Sequence, residues 1–309
     1  MTRKSLLTLA AALVLAANPA QAQISDGVIK IGVLNDQSGT YADLAGPGSV
    51  VAARMAVEDF GAARKGLKVE IVFADHQNKT DVGSQIARQW YDAEKVDLVV
   101  DVPNSAIALA INQIARDRGK AFIVATAATS DLTGKACSPT TLHWTYDTWS
   151  LANGTGNAIV KTGGDTWFFL TADYAFGHAL ERDVEAVVLK SGGKVLGKVR
   201  HPFPTADFSS FLLQAQASKA KIVGLANAGA DTTNAIKQGA EFGIVKGGQQ
   251  FAGLLVFLTD IHSLGLEKSQ GLVLTESFYW DLNDQTRAWS TRFAERHRGA
   301  KPTMVQGGV

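Results

Sequence analysis

Cysteine is almost missing from this chain: Cys137 is the single one in 309 residues. One thiol can build neither an internal disulfide framework nor a zinc, haem or iron–sulfur site that rests on paired cysteines. An excess of charge is missing too. Thirty Lys and Arg stand against 29 Asp and Glu, a net +1, which leaves no electrostatic case for a nucleic-acid partner or an anionic membrane surface. The six histidines, His76, His143, His178, His201, His262 and His297, are scattered without H-x-x-x-H spacing, so no metal is expected. G-x-S-x-G, a Walker A sequence and the dinucleotide fingerprint are all absent. Gly39, Gly46 and Gly48 follow the first apolar run in a different order. Neither catalysis nor a cofactor is expected, since a Ser/His/Asp set drawn from so many residues carries no weight without geometry. Low-complexity tracts are lacking, and beyond the first residues no apolar run reaches the roughly 20 residues that span a bilayer.

What is present begins at the N-terminus. Arg3-Lys4 is a basic start, Leu6 to Ala17 an apolar run, and Ala20-Gln21-Ala22 a small-x-small cleavage site. This reads as a signal peptide over residues 1–22, with a mature start near Gln23 and no cysteine there to carry a lipid. The product is expected to be soluble and exported to an oxidising compartment. In that oxidising compartment Cys137 is either a buried free thiol or paired with a cysteine beyond this chain's end. The length suits two domains with real cores.

From Val28 onward apolar strands alternate with helical spacing. Strands are expected at Val28–Leu34, Lys68–Ala74, Asp97–Val102 and Ala121–Ala125, and again at Thr166–Thr171, Val195–Arg200, Ile222–Ala226 and Phe251–Phe257. Helices are expected at Val50–Phe60, Val82–Tyr91 (Asp81 as N-cap), Ser105–Arg118, Ala175–Lys190, Phe208–Lys219, Asp231–Phe242 and Asp284–Arg298. Strands alternating with helices of about 10–15 residues indicate βαβ units and parallel sheets. The rhythm breaks over Asp131–Trp149, a long loop in which Trp144, Tyr146 and Trp149 are expected to pack a joint, and again over Leu272–Trp280. Two α/β lobes joined by at least two hinge crossings follow, with 23–145 and 278–309 in the first and 146–277 in the second. Met304–Val309 contains no helix stop, and the chain reads as truncated at its C-terminus.

The stretch from Asp101 to Thr133 organises the rest. Ser105 reads as the N-cap of a helix, and Thr126-Ala127-Ala128-Thr129-Ser130 follows the next strand. In a parallel sheet both lie at the carboxyl ends of adjacent strands, where open α/β sheets bind ligands. Free N–H groups and the helix dipole favour an anion there, so the stretch reads as a carboxylate cradle. Ser105 as a plain cap and Thr126 and Thr129 as turn residues are the structural alternatives.

These residues carry a resemblance. Ile29–Gly39 (IKIGVLNDQSG), Ala52–Phe60, SAIALAINQIA, Ala128–Gly134, Asp173–Gly177 (DYAFG), Asp207–Gln214 and Ala235–Ile244 follow one another as in the leucine/isoleucine/valine-binding, type I periplasmic solute-binding proteins of ABC importers. The resemblance implies two Rossmann-like lobes with parallel central sheets, closing on a ligand, and a monomer that serves a membrane permease. It implies that Ser105, Ala127, Ala128 and Thr129 hold the ligand's carboxylate. It places Tyr174 or Phe176, Asn227 and Asp231 on the second lobe's side of the ligand, and Trp280 or Tyr279 at the second crossing. Members that bind aliphatic amino acids carry an acid near Gly253, whereas here Gly253-Leu254-Leu255-Val256 has none. A buried ammonium without a partner is costly. Either Asp231 substitutes or, more simply, the ligand lacks an amino group, and Tyr41, Tyr174, Phe176, Tyr279 and Trp280 suit an aromatic acid. The resemblance also implies further helices and a third crossing, without which the first sheet is left partly bare. A ligand-sensing module with the same fold is the alternative function.

Overall fold

The computed structural model describes residues 26–309; the leader expected over residues 1–22 and the start at Gln23 lie outside them. The alternation resolves into two parallel sheets, one of five strands and one of four. In the first the order is β2-β1-β3-β4-β5, with β1 Ile29–Asn35, β2 Val69–Asp75, β3 Leu98–Asp101, β4 Ala121–Val124 and β5 Thr141–His143. Helices α1 (Gly46–Phe60), α2 (Thr80–Asp92) and α3 (Ser105–Arg118) make the crossovers. Side chains alternate across a strand, so Val99, Phe122 and Val124 fall on the face that buries Ile107 and Ile111 of α3 and Trp90 of α2. Gly32 permits this packing, because a Cβ there would lie 2.4 Å from the Trp90 ring.

The connection after β5 leads into α4 (Thr148–Leu151) and, through a π-helical turn, α5 (Asn157–Lys161). The second sheet has the order β7-β6-β8-β9, from β6 Thr166–Ala172, β7 Lys194–His201, β8 Ile222–Ala226 and β9 Gln250–Gly253. Its crossovers are α6 (Ala175–Lys190), α7 (Ser209–Ser218) and α8 (Ala230–Glu241). Trp167 and Phe169 pack on the α6 side, Phe168 and Leu170 on the α7–α8 side. Short helices α9 (Leu258–Leu264) and α10 (Leu266–Ser269) precede the return, where α11 (Asp284–Arg296) lies on α1. Arg292 and Arg296 of α11 pair with Asp59 and Glu58 at 2.6 and 2.7 Å. α12 (Met304–Gly308) also sits on α1, and Thr303 before it donates to Leu44 O at 2.7 Å.

Several local expectations are corrected. The long loop contains a strand, β5, because Thr141–His143 pairs with Phe122–Val124. The run to Phe257 is not all strand: pairing stops at Gly253, and Leu254–Phe257 leave the sheet edge. Asn104, not Ser105, caps α3, accepting from Ala106 N at 3.0 Å and Ile107 N at 3.3 Å. Lys79 stands at the α2 cap and Asp81 within its first turn. Trp144 and Trp149 are 66% and 63% exposed and pack no joint, whereas Tyr146 is half-buried against it. Cys137 is exposed, which removes the buried-thiol alternative. No helix of the described residues is long and apolar enough to cross a membrane.

Candidate functional site

The carboxyl ends of the two sheets face each other across a nearly closed cavity of about 10 Å³. The first sheet contributes Tyr41 and Leu44 from the loop after β1, Pro103 after β3, and Thr126 and Ala128 after β4. The second contributes Tyr174, Phe176, Ala228, Leu255 and Phe257, and Tyr146 enters from the connection. No ionisable acid or base other than the three tyrosines lines the cavity. Burial raises all three phenols, so each stays protonated.

Aromatic rings close the two sides on each other. Phe203, just past β7, stacks on Tyr41 with centroids 5.3 Å apart and on Tyr174 at 4.7 Å. The Tyr41 and Tyr174 hydroxyls are hydrogen-bonded across the gap. Behind Tyr41, Gly229 (φ +60°) brings main chain against main chain, since a Cβ there would sit 2.7 Å from Thr40 O. A polar clasp joins the sides further along. Asp183 of α6 accepts from the Ser130 and Thr148 hydroxyls at 2.7 and 2.6 Å, and Arg182 donates to Asp131 at 3.0 Å and to Ser130 at 2.8 Å.

The predicted cradle is assembled from adjacent strands β3 and β4. Ser105 Oγ accepts from Thr129 N at 3.3 Å, and both residues are fully buried. Within the described residues nothing accepts from the main-chain N–H of Ala127 or Ala128, while Ala128 O accepts from Thr148 N at 2.7 Å. Ala128 lines the cavity; Ser105 and Thr129 form the layer beneath it. Thr126, weighed from sequence as a turn residue, is the cavity's hydroxyl. Its carbonyl accepts from Tyr146 Oη at 2.7 Å, and its own hydroxyl is bonded to Asp101.

The second side brings Tyr174 and Phe176 to the cavity but not Asn227, Asp231 or Trp280. Asn227 is committed internally, accepting from Thr232 at 2.7 Å and contacting His201 Nε2 at 3.1 Å. Asp231 caps nothing; its Oδ1 accepts from Thr205 N at 3.0 Å. Its Oδ2 is buried without a partner, and burial pushes the carboxyl up to about 7. Trp280 stacks under Lys301 Nζ at 4.2 Å and beside Tyr279. Sequence reasoning missed Phe203, Pro103 and Phe257 as site residues, and each sits just past a strand's carboxyl end, which was the available signal. Among the described residues no group of three or more His, Cys, Asp or Glu could hold a metal ion.

Comparison with known proteins agrees with this geometry. The family model described as periplasmic binding protein matches residues 28–309. A crystal structure of a periplasmic binding protein from Burkholderia mallei is 52% identical and superposes with a TM-score of 0.89, over 91% of this chain and 75% of that one. A branched-chain amino acid ABC transporter periplasmic ligand-binding protein from Burkholderia xenovorans is 40% identical, with a TM-score of 0.77 over 91% and 75% of the two chains. An ABC transporter solute-binding protein from R. palustris, solved with benzoate, shares the fold at 23% identity and a TM-score of 0.81, over 91% and 77%.

Proposed function

The chain belongs to the periplasmic binding protein family, the substrate-binding receptors of ABC transporters, and from that premise we propose that its ligand is a small aromatic carboxylate without an amino group. The carrying observation is the cavity lining: five aromatic rings, and no carboxylate to meet an ammonium. An ammonium placed there would lose its hydration without gaining a partner. A ring would stack among Tyr41, Tyr174 and Phe176. Its carboxylate would reach the unpaired N–H groups of Ala127 and Ala128 and the Thr126 hydroxyl, above a floor made by Ser105 and Thr129. Asn227 and Asp231 would act from behind the lining. The benzoate bound by the R. palustris protein is of this chemical class.

In this reading the leader over residues 1–22 exports a monomer to the periplasm. Segments 23–145 and 278–309 form one lobe and 146–277 the other, and their closure over the ligand presents one arrangement to the permease. The ligand favours closure only by its higher affinity for the closed form. The test is the shift in melting temperature with benzoate, 4-hydroxybenzoate, leucine and valine. Shifts with the two aromatic acids alone are expected. A response confined to leucine and valine would refute the reading.

A further inference from the structure

Beneath the cavity floor stands a carboxyl group that no cation neutralises. Asp101 ends β3, fully buried. Its Oδ2 accepts from Asn35 Nδ2 at 2.8 Å, and the same amide nitrogen donates to Gly46 O at 2.9 Å. Its Oδ1 meets the Thr126 hydroxyl. The groups facing it are Asn35 from β1, Ser49 from α1, Thr126 from the turn after β4 and the neutral phenol of Tyr146 from the connection. No lysine, arginine or histidine is among them. The main chain is held unusually here, since Asp101 (φ +83°) and Val102 (φ +57°) are consecutive non-glycine residues in the left-handed region. Such conformations persist where the surroundings over-determine them, and they gather at ligand sites.

Thr126 lines the cavity, and its hydroxyl, which carries one proton, is bonded to Asp101. While Asp101 is ionised both its oxygens only accept, so that proton is committed to Oδ1 and the cavity meets only the hydroxyl's lone pairs. A ligand carboxylate would then face lone pairs with a second negative charge behind them. Once Asp101 Oδ1 is protonated, the carboxyl O–H donates to Thr126 Oγ1 and the hydroxyl proton is free to turn into the cavity. We propose that Asp101 and Thr126 form a proton-gated donor: binding of the ligand carboxylate takes up one proton on Asp101 Oδ1, which releases the Thr126 hydroxyl to hydrogen-bond the ligand. Burial pushes the Asp101 carboxyl up to about 6, so the exchange falls within an accessible pH range. The inference rests on the reading of the ligand as an anionic carboxylate.

The probe is benzoate, titrated calorimetrically between about pH 6 and pH 8 in buffers of differing ionisation enthalpy. Above about pH 6 the affinity should fall by up to roughly tenfold per pH unit, with proton uptake approaching one per ligand. In Asp101→Asn the amide accepts from Asn35 and donates permanently to Thr126. Its affinity should be flat with pH and tighter than wild type at pH 8. Thr126→Val, which removes the donor and leaves Asp101 in place, should bind more weakly at pH 6 and lose the pH slope. Benzoate and 4-hydroxybenzoate failing to bind at any pH would overturn both the ligand reading and this inference. Binding without proton uptake, or a pH slope that survives in either variant, would overturn the inference alone.

Discussion

Removing Asp183 separates what holds the two sides together from what holds each side folded. Its side chain is 12% exposed and accepts three hydrogen bonds: from Ser130 on the first side, from Thr148 in the connection, and from its neighbour Arg182. A hydrogen bond to a charged, largely buried acceptor contributes about 1.5 kcal/mol net. Arg182 is 48% exposed and reaches Asp131 across the gap, so solvent screening reduces that pair to about 0.5 kcal/mol. In Asp183→Ala the Ser130 bond is lost and Arg182 is no longer steered toward Asp131, so the cross-gap loss is about 2 kcal/mol. If the clasp exists only when the lobes are closed, that loss weakens ligand affinity about 30-fold. Thr148 lies in the connection and its main-chain N–H is already tied to Ala128 O, so the loss of its bond to Asp183 is expected in the melting temperature instead. Isothermal titration with an aromatic acid and thermal denaturation of the same variant distinguish the two. A lowered melting temperature with affinity within about twofold of wild type would show that the clasp persists in both arrangements, and the reasoning would fail.

Four further outcomes are expected. Asn104→Ala removes the cap of α3, which bears the cradle's Ser105, and should cost about 1 kcal/mol in urea denaturation. Asp231 in the folded protein keeps a proton to about pH 7 that the unfolded chain releases near its ordinary value. The Asp231 contribution to stability should therefore fall by about 2 kcal/mol from pH 5 to pH 7, so the loss measured over that range should be smaller by about that amount in Asp231→Asn. The α1-side face of the first sheet carries an apolar groove of about 530 Å³ lined by Ile29, Ile31, Leu98, Ile123, Leu142 and Trp144, which should enhance the fluorescence of a hydrophobic dye, less so in Leu142→Glu. Phe203→Ala removes the ring stacked on Tyr41 and Tyr174 and should shift preference toward bulkier aromatic acids in a melting-temperature screen, while Phe203→Leu retains the wild-type order.

The fold was legible because strands such as β4, β6 and β8 are nearly unbroken apolar runs, as parallel strands covered on both faces are, and because Gly119 ends α3 in the left-handed conformation that its position demands. Boundaries slipped where polar chemistry outweighed periodicity. Asn104 caps α3 one residue earlier than expected, because its carboxamide reaches two N–H groups. β5 escaped notice because three residues, Thr141-Leu142-His143, are too few to show a period. The site was half legible. Alternation predicts which turns lie at the carboxyl ends of the strands, and so flagged the segment from Thr126 to Thr129. It cannot tell which of those hydroxyls faces the gap, because that depends on how the other sheet is placed against it. The same limit explains Trp280: an aromatic at a crossing packs wherever a neighbour offers more contact, and Lys301 offers it here.

The cavity, at about 10 Å³, has room for about one water and falls far below the usual range of about 300–1,000 Å³ for ligand pockets. Its smallness has a cause in the lining. Tyr41, Phe203 and Tyr174 already stack on one another and hydrogen-bond across the gap, so without a ligand the two sides satisfy each other with their own rings. A bound aromatic ring therefore gains no new class of contact; it exchanges one stack for another. Aromatic burial by itself should then discriminate little between the empty closed form and the occupied one. The selective energy has to come from groups the empty form leaves unsatisfied, such as the N–H of Ala128, which lines the cavity, and that of its neighbour Ala127. On that logic the carboxylate drives closure, the ring sets what fits, and an aromatic alcohol of the same shape should bind far more weakly than the acid.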